Sequence, residues 1–184
     1  MMPDVPERFP GCACVQEFDK YPKVFLQTGD CYLGVQPTLV TTVLGSCVAV
    51  TMCAPHRSIG AICHAFLPDS GKFNARGKDP QVCRFVDTAV ESMLTSLMRL
   101  KISPSDLVVK VFGGASGIMN GNRCTLYDIG SRNLEAVQER LGDHGIRVTR
   151  SSTGGCQGRK LLFLTHTGDV WVKMLHKANE ENLP

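Results

Sequence analysis

A cysteine and a histidine in neighbouring apolar segments have the residue types of a nucleophile and its base. Cys47 directly follows Gly45-Ser46, and His64 lies in the next apolar segment along the chain. An imidazole that takes the proton of a thiol makes that thiol a strong nucleophile, and we expect His64 to lower the pKa of Cys47. The flexible backbone at Gly45-Ser46 supplies N–H groups for an oxyanion. These residues predict covalent catalysis, although a cysteine in an apolar strand is more often a buried hydrophobe.

A β-hairpin is expected to bring Cys47 and His64 together. The segments on both sides of Ala54-Pro55-His56-Arg57 are rich in strand formers, and the proline suits the second position of a type I turn. We expect Cys53 to pair with Ser58 across this turn, which sets Cys47 directly opposite His64. Directly opposed residues have Cβ atoms about 5 Å apart, so an imidazole there reaches the sulfur.

The composition predicts one cytoplasmic domain. The chain has 184 residues, of which 43% are hydrophobic, and a net charge of +3 without a dense basic run. This is enough for a single core and does not indicate a nucleic-acid partner. No apolar stretch reaches the roughly 20 residues of a membrane span, and the first residues lack the apolar part of a signal peptide. The nine cysteines are an odd number without the spacing of a disulfide framework, so we expect free thiols.

The remaining patterns predict where the other elements lie. Residues 1–22 contain four prolines and are expected to form a flexible extension, followed by a single domain at 23–184. A helix is predicted from Pro80 to Leu100, with Asp79 as its N-cap. The glycine-rich run from Gly113 to Gly117 is interpreted as a tight turn close to the site. Further strands are predicted at 23–26, 31–34, 107–112, 146–152, 160–165 and 170–175. A second helix is predicted at 134–141.

Neither a metal nor a cofactor is expected. Cys12 and Cys14 lack further ligands nearby, and no two histidines have metal-ligand spacing. The glycine-rich run lacks the lysine and the hydroxyl residue of a P-loop. Arg132 and Asn133 are candidates for binding a substrate carboxylate or amide, and equally for helix capping or surface pairing.

Several short motifs together resemble the CheD family of chemoreceptor glutamine deamidases. Their order and spacing match from about Lys23 to Lys173. The motifs are Thr41, Leu44-Gly45-Ser46-Cys47, His64 with Leu67-Pro68, Gly113-Gly114-Ala115-Ser116, Ile129-Gly130-Ser131-Arg132-Asn133 and Thr153-Gly154-Gly155.

The resemblance implies a catalytic triad of Cys47, His64 and Thr41, in which the threonine hydroxyl holds the second imidazole nitrogen. It implies an α+β fold of stacked mixed β-sheets flanked by helices, similar to bacterial toxins that deamidate glutamine. The implied activity is that of a protein-glutamine glutaminase, a hydrolase that converts glutamines of methyl-accepting chemoreceptors to glutamate through a cysteine thioester.

The resemblance also implies two partners. One is the set of cytoplasmic helices of the chemoreceptors, which supply the substrate, and the other is a CheC-type phosphatase. The alternative function is that of a non-catalytic binding module in chemotaxis. The presence of all three residues, Thr41, Cys47 and His64, argues against that alternative.

Overall fold

Strands and helices alternate irregularly along the chain. The computed structural model describes residues 18–73, 81–116, 118–119, 122–123 and 129–175. The strands are β1 (Lys23–Phe25), β2 (Cys31–Gly34), β3 (Leu39–Leu44), β4 (Val48–Ala54), β5 (Ile59–Ala65), β6 (Val108–Gly113), β7 (Ile118–Met119), β8 (Asn122–Arg123), β9 (Val148–Thr153), β10 (Arg159–Leu164) and β11 (Asp169–Met174). The helices are α1 (Ser70–Phe73), α2 (Val86–Arg99) and α3 (Ile129–Asp143).

Two mixed sheets organise these strands. The four-stranded sheet has the order β1-β3-β10-β11, and the five-stranded sheet has the order β2-β5-β4-β6-β9. Each contains one parallel pair, β1 with β3 and β6 with β9, among antiparallel neighbours. β7 and β8 form a separate antiparallel pair. Among the described residues, no helix has the length and hydropathy to cross a membrane.

The sheets and helices stack in three layers. One face of the five-stranded sheet packs on α2 and α3, and the side chains in this core include Val50, Leu94 and Val137. The other face packs on the four-stranded sheet through residues such as Ile62 and Phe163. The expected α+β class and the stacked mixed sheets are therefore confirmed. The expected similarity to glutamine-deamidating toxins stays a prediction.

The segment before β1 packs on the outer face of the four-stranded sheet. Phe18 is buried and meets Trp171 edge to face, with ring centroids 4.9 Å apart. Residues 18–22, assigned from the sequence to the extension, therefore contact the sheet. Residues 1–17 lie outside the described residues.

The predicted first long helix begins later than expected. α2 starts at Val86, after an extended residue at Phe85 with φ −102° and ψ 144°. Phe85 forms an isolated parallel bridge with Leu67, and the N–H of Val86 donates to the Leu67 carbonyl. Pairing with the chain after β5 therefore keeps residue 85 extended. The predicted cap and first turn, 79–80, lie outside the described residues.

One disulfide contradicts the expectation that all cysteines are free. Cys31 in β2 is bonded to Cys83, which lies in a 3-10 turn before α2. The two residues are separated by 52 positions in sequence, so no local spacing indicates the pair. The free cysteines of the described residues are Cys47, Cys53, Cys63 and Cys156.

Replacing Cys83 by serine should lower the free energy of unfolding by about 2–4 kcal/mol, because the unfolded chain loses a cross-link that restricts its conformations. Urea unfolding of oxidised Cys83→Ser and wild-type protein measures this difference. Cys156→Ser is the matched control, since Cys156 is an exposed free thiol. Equal losses of stability in the two variants would show that the cross-link does not stabilise the fold.

Candidate active site

The candidate nucleophile lies where the chain crosses from one sheet to the other. β3 ends at Leu44 in the four-stranded sheet, and β4 begins at Val48 in the five-stranded sheet. Cys47 is the last residue of this crossing and packs against the cluster between the sheets. His64 is the penultimate residue of β5, the hairpin partner of β4. The site is therefore built at the edge of the space between the two sheets.

The turn between β4 and β5 has the predicted length of four residues but lies one residue later than the sequence predicted. Ser58 adopts the left-handed conformation, with φ 52°, and its N–H donates to the Pro55 carbonyl. A residue in this conformation cannot continue an extended strand. The ladder therefore begins with Ala54 opposite Ile59, not with Cys53 opposite Ser58.

This turn shifts the register by two residues. His64 pairs with Ala49, so the prediction that Cys47 lies directly opposite His64 is wrong. Because side chains alternate with a period of two, a shift of two residues leaves both side chains on the same face. Cys47 and His64 become diagonal neighbours, a separation that long side chains still bridge. Within the described residues, no hydrogen bond joins the thiol to the imidazole.

The His64 ring is held by hydroxyl groups at both nitrogens. Thr42 Oγ1 lies 2.8 Å from Nδ1, and Thr28 Oγ1 lies 3.4 Å from Nε2. The Thr42 hydroxyl also donates to the Leu26 carbonyl at 2.9 Å. A hydroxyl has one proton to donate, so its bond to Nδ1 requires that this nitrogen carries the proton. Nε2 is then the unprotonated nitrogen that can accept a proton.

Thr41 does not meet His64 in this structure. Thr42 is fully buried and faces the space between the sheets, whereas Thr41 is partly exposed. Successive residues of a strand point to opposite faces, so Thr41 lies on the outer face of the four-stranded sheet. Within residues 18–73, no hydrogen bond joins the side chains of Thr41 and His64. The sequence does not distinguish these two adjacent threonines. In the structure, Thr42 is the one that contacts His64.

Three donors hold the carbonyl groups of the crossing. The N–H of Ala115 donates to the Gly45 carbonyl at 2.9 Å, and the N–H of Gly114 donates to the Cys47 carbonyl at 2.8 Å. The Ser46 carbonyl accepts from Nδ2 of Asn133 at 3.1 Å. The predicted turn at Gly113 to Gly117 is thus close to the site, as far as residue 116. A side chain at Gly113 would place Cβ 2.1 Å from the Cys47 carbonyl oxygen, so this approach requires glycine.

The fixed carbonyls direct the N–H groups of the crossing. In a trans peptide, the C=O and the following N–H point in opposite directions. The N–H groups of Ser46 and Cys47 therefore point away from the segment that holds the carbonyls. A hydrogen bond from its own N–H lowers the pKa of the Cys47 thiol, against the larger effect of burial. Backbone N–H groups next to a nucleophile are the donors that an oxyanion site uses.

Burial keeps the thiol and the imidazole neutral at rest. Burial raises the pKa of Cys47 above its ordinary value, against the opposing effect of its own N–H. Burial also lowers the pKa of His64, and a backbone carbonyl and Asp30 oppose this shift more weakly. The expectation that His64 lowers the thiol pKa is therefore wrong for the resting protein. The resting pair is a thiol with an imidazole that can act as its base.

In the part of the chain that the structure describes, no three side chains of metal-binding type come together. Of the two further candidates from the sequence, Asn133 is buried and bonded to backbone carbonyls, and Arg132 is partly exposed.

Sequence comparison finds relatives along most of the chain. A family model described as "CheD chemotactic sensory transduction" matches residues 66–174. A probable chemoreceptor glutamine deamidase CheD of Maridesulfovibrio salexigens is 48% identical over 159 residues, which cover 84% of this chain and 93% of the relative. A similarly named protein of Geobacter sulfurreducens is 40% identical, with 89% and 96% covered. The chemoreceptor glutamine deamidase CheD of Thermotoga maritima is 37% identical, with 73% and 80% covered.

Two solved structures show a weaker likeness. The hypothetical protein YfiH of Bacillus licheniformis has a TM-score of 0.48 at 15% identity, over 77% of this chain and 68% of that chain. YlmD of Geobacillus stearothermophilus has a TM-score of 0.43 at 17% identity, over 79% and 59%. Both TM-scores lie below 0.5, so these likenesses add nothing to the fold described above.

The neutral state of Cys47 predicts slow alkylation at neutral pH. Only the thiolate reacts with iodoacetamide, and burial raises the pKa of this thiol from 9.0. The rate at Cys47 should therefore keep rising as the pH passes 9, without a plateau near neutrality. Peptide mapping after brief labelling at several pH values measures this profile.

The other free thiols are internal controls for the labelling. Cys156 is exposed and should react before Cys47. Burial raises the pKa of Cys53 to about 11 and that of Cys63 to about 12, so both should react last. Fast labelling of Cys47 at pH 7 that disappears in His64→Ala would contradict a neutral pair and indicate a thiolate beside an imidazolium.

Proposed function

This chain belongs to the CheD family, and from that membership we propose that it hydrolyses glutamine side chains of chemoreceptors to glutamate and ammonia. Relatives that carry the name of this activity are 37% to 48% identical over most of the chain. The observation that supports the proposal is that the Cys47 thiol, the N–H groups of the crossing and the unprotonated Nε2 of His64 belong to neighbouring segments at the edge of the space between the sheets. Amide hydrolysis through a covalent intermediate needs these three groups.

The first half of the reaction forms a thioester. His64 Nε2 takes the thiol proton as Cys47 Sγ attacks the side-chain amide carbon, and the N–H groups of Ser46 and Cys47 stabilise the oxyanion. The carbon–nitrogen bond then breaks, and the imidazolium gives its proton to the leaving nitrogen. Ammonia departs and the acyl group stays on sulfur.

The second half of the reaction hydrolyses the thioester. The neutral imidazole takes a proton from water, the resulting hydroxide attacks the acyl carbon, and the same N–H groups hold the second oxyanion. The carbon–sulfur bond breaks, the proton returns to sulfur, and the product is a glutamate side chain. Each turnover replaces a neutral amide by a carboxylate, so the receptor helix gains negative charge.

The hydroxyl group that orients His64 is that of Thr42. Its bond at 2.8 Å to Nδ1 and its donation to Leu26 fix both the tautomer and the ring direction. The family resemblance assigns this role to Thr41, whose side chain lies on the other face of β3. Contacts therefore favour Thr42 over Thr41 as the residue next to the imidazole.

The partners follow from the proposed substrate. The cytoplasmic helices of chemoreceptors present the glutamines, and a CheC-type phosphatase is the second partner, as the family resemblance implies. The activity belongs in the cytoplasm, where these helices lie. A non-catalytic binding module would use the same partners without changing the mass of the receptor.

Cys47→Ala should abolish conversion of glutamine, because the covalent intermediate cannot form without sulfur. Mass spectrometry of a purified chemoreceptor cytoplasmic fragment after incubation detects the mass gain from replacing an amide by an acid, and an ammonia assay counts turnovers. Cys53→Ala is the matched control, since Cys53 is a buried free thiol in β4, the strand that follows Cys47. Binding of the fragment by wild-type protein without any mass gain would favour the binding module.

Thr42→Val should lower kcat by about 10- to 100-fold, because a misdirected imidazole transfers protons poorly. Thr42→Ser keeps the hydroxyl and should be much milder. Thr41→Val is the matched control on the opposite face of β3. A large loss in Thr41→Val with little loss in Thr42→Val would return the orienting role to Thr41.

A further inference from the structure

Asn133 lies fully buried near the start of α3, between the two chain segments that carry the site. Its Nδ2 group donates to the Ser46 carbonyl at 3.1 Å and to the Phe66 carbonyl at 3.2 Å. Ser46 precedes Cys47, and Phe66 follows His64 by two residues. Two carbonyl neighbours require two N–H donors, so the orientation of the amide is settled by its partners.

The Asn133 amide bonds to the chain just beyond the last pair of the β4–β5 ladder. The last pair of β4 and β5 is Val48 with Ala65, and the residues before Val48 do not pair with those after Ala65. Asn133 donates to one carbonyl in each of these two segments. The link therefore fixes the crossing that carries the nucleophile relative to the end of the strand that carries the base.

The helix that presents Asn133 is seated on the same loop that holds the crossing. A Cβ at Gly130 would lie 2.6 Å from the Ala115 carbonyl oxygen and 2.8 Å from that of Gly114. Contacts this close are possible only without a side chain. The start of α3 thus approaches the loop whose N–H groups bond to Gly45 and Cys47.

The amide also has an unfavourable feature. Its Oδ1 atom is inaccessible to solvent, and no described group donates to it. An unsatisfied buried acceptor destabilises the folded state, and an apolar side chain of similar shape would avoid that loss. The two donated bonds therefore supply something that an apolar residue at this position does not.

We propose that Asn133 is a positioning residue for the oxyanion-binding amide of Cys47, an inference that rests on the proposed deamidase activity. The Ser46 carbonyl and the Cys47 N–H belong to one planar peptide group. By holding the carbonyl, Asn133 fixes the direction of the N–H, which then points at the developing oxyanion. Without the amide, the Ser46 carbonyl loses this partner, and the Cys47 N–H is no longer held in its aligned position.

Asn133→Leu keeps the branched shape and removes both donors. It should lower kcat on the receptor fragment by about 10- to 100-fold, because the oxyanion loses an aligned donor, while KM changes by less than about threefold. Alkylation of Cys47 by iodoacetamide forms no oxyanion, so its rate should stay within about threefold of the wild-type rate. A change in kcat without a change in alkylation separates oxyanion positioning from damage to the thiol.

Val137→Ala is the matched control, since Val137 lies one turn further along α3 and is buried away from the crossing. It should destabilise the protein and leave kcat unchanged below the unfolding temperature. Protection of Cys63 from labelling shows that a variant is folded. If Asn133→Leu loses this protection, Asn133→Ala is measured in its place.

Three outcomes would overturn the inference alone: unchanged kcat in a folded Asn133 variant, a parallel fall in kcat and in Cys47 alkylation, or unfolding of both Asn133 variants. Absence of conversion by the wild-type protein would overturn the proposed function, and the inference with it.

Discussion

The hydrogen bonds to the carbonyl groups of the crossing between the sheets are the constraint on which the site depends. The chain leaves β3 at Leu44 and enters β4 at Val48, so a very short segment carries it from one sheet to the other. Buried backbone groups in such a segment need partners. The carbonyls find theirs in the loop after β6 and in Asn133. In a trans peptide the N–H groups of Ser46 and Cys47 point opposite to these carbonyls, and the proposed reaction uses them as its oxyanion donors.

The position between two sheets also determines the charges at the site. A thiolate and an imidazolium at rest would both have to be desolvated, and among the described residues the favourable charge of Asp30 on His64 is weaker than the effect of burial. Burial instead favours a neutral thiol, and it favours a neutral imidazole whose Nδ1 proton is fixed by Thr42. In the proposed reaction, charge develops only when the amide carbon is attacked, and the N–H groups of the crossing then stabilise it. On this proposal, the burial that lowers resting reactivity also restricts the chemistry to a bound amide.

Much of this arrangement follows from local sequence, and the rest depends on contacts that sequence does not encode locally. Apolar runs and turn residues predict the β10–β11 hairpin and the strand before Gly113 to within one residue, whereas α3 begins at Ile129, five residues before the predicted start. The start of α2 was misplaced because the bridge between Leu67 and Phe85 keeps the chain extended where its periodicity is helical. The Cys31–Cys83 bond was missed because its partners are brought together only by tertiary packing. Asn133 was noticed as a polar candidate, but its role depends on two carbonyls far away in sequence.

The expected and observed site geometries differ in two ways, and the consequences differ because side chains alternate between the two faces of a β-strand. The hairpin register was wrong by two residues, and a shift of two preserves the face on which every side chain lies. Cys47 and His64 therefore stay on one face, and their roles as nucleophile and base stay a prediction. The threonine that contacts the imidazole is Thr42 and not Thr41, and a displacement of one moves a side chain from one face to the other. Sequence reasoning about strands is accordingly robust to even shifts, and it is fragile wherever two residues of the same type are adjacent.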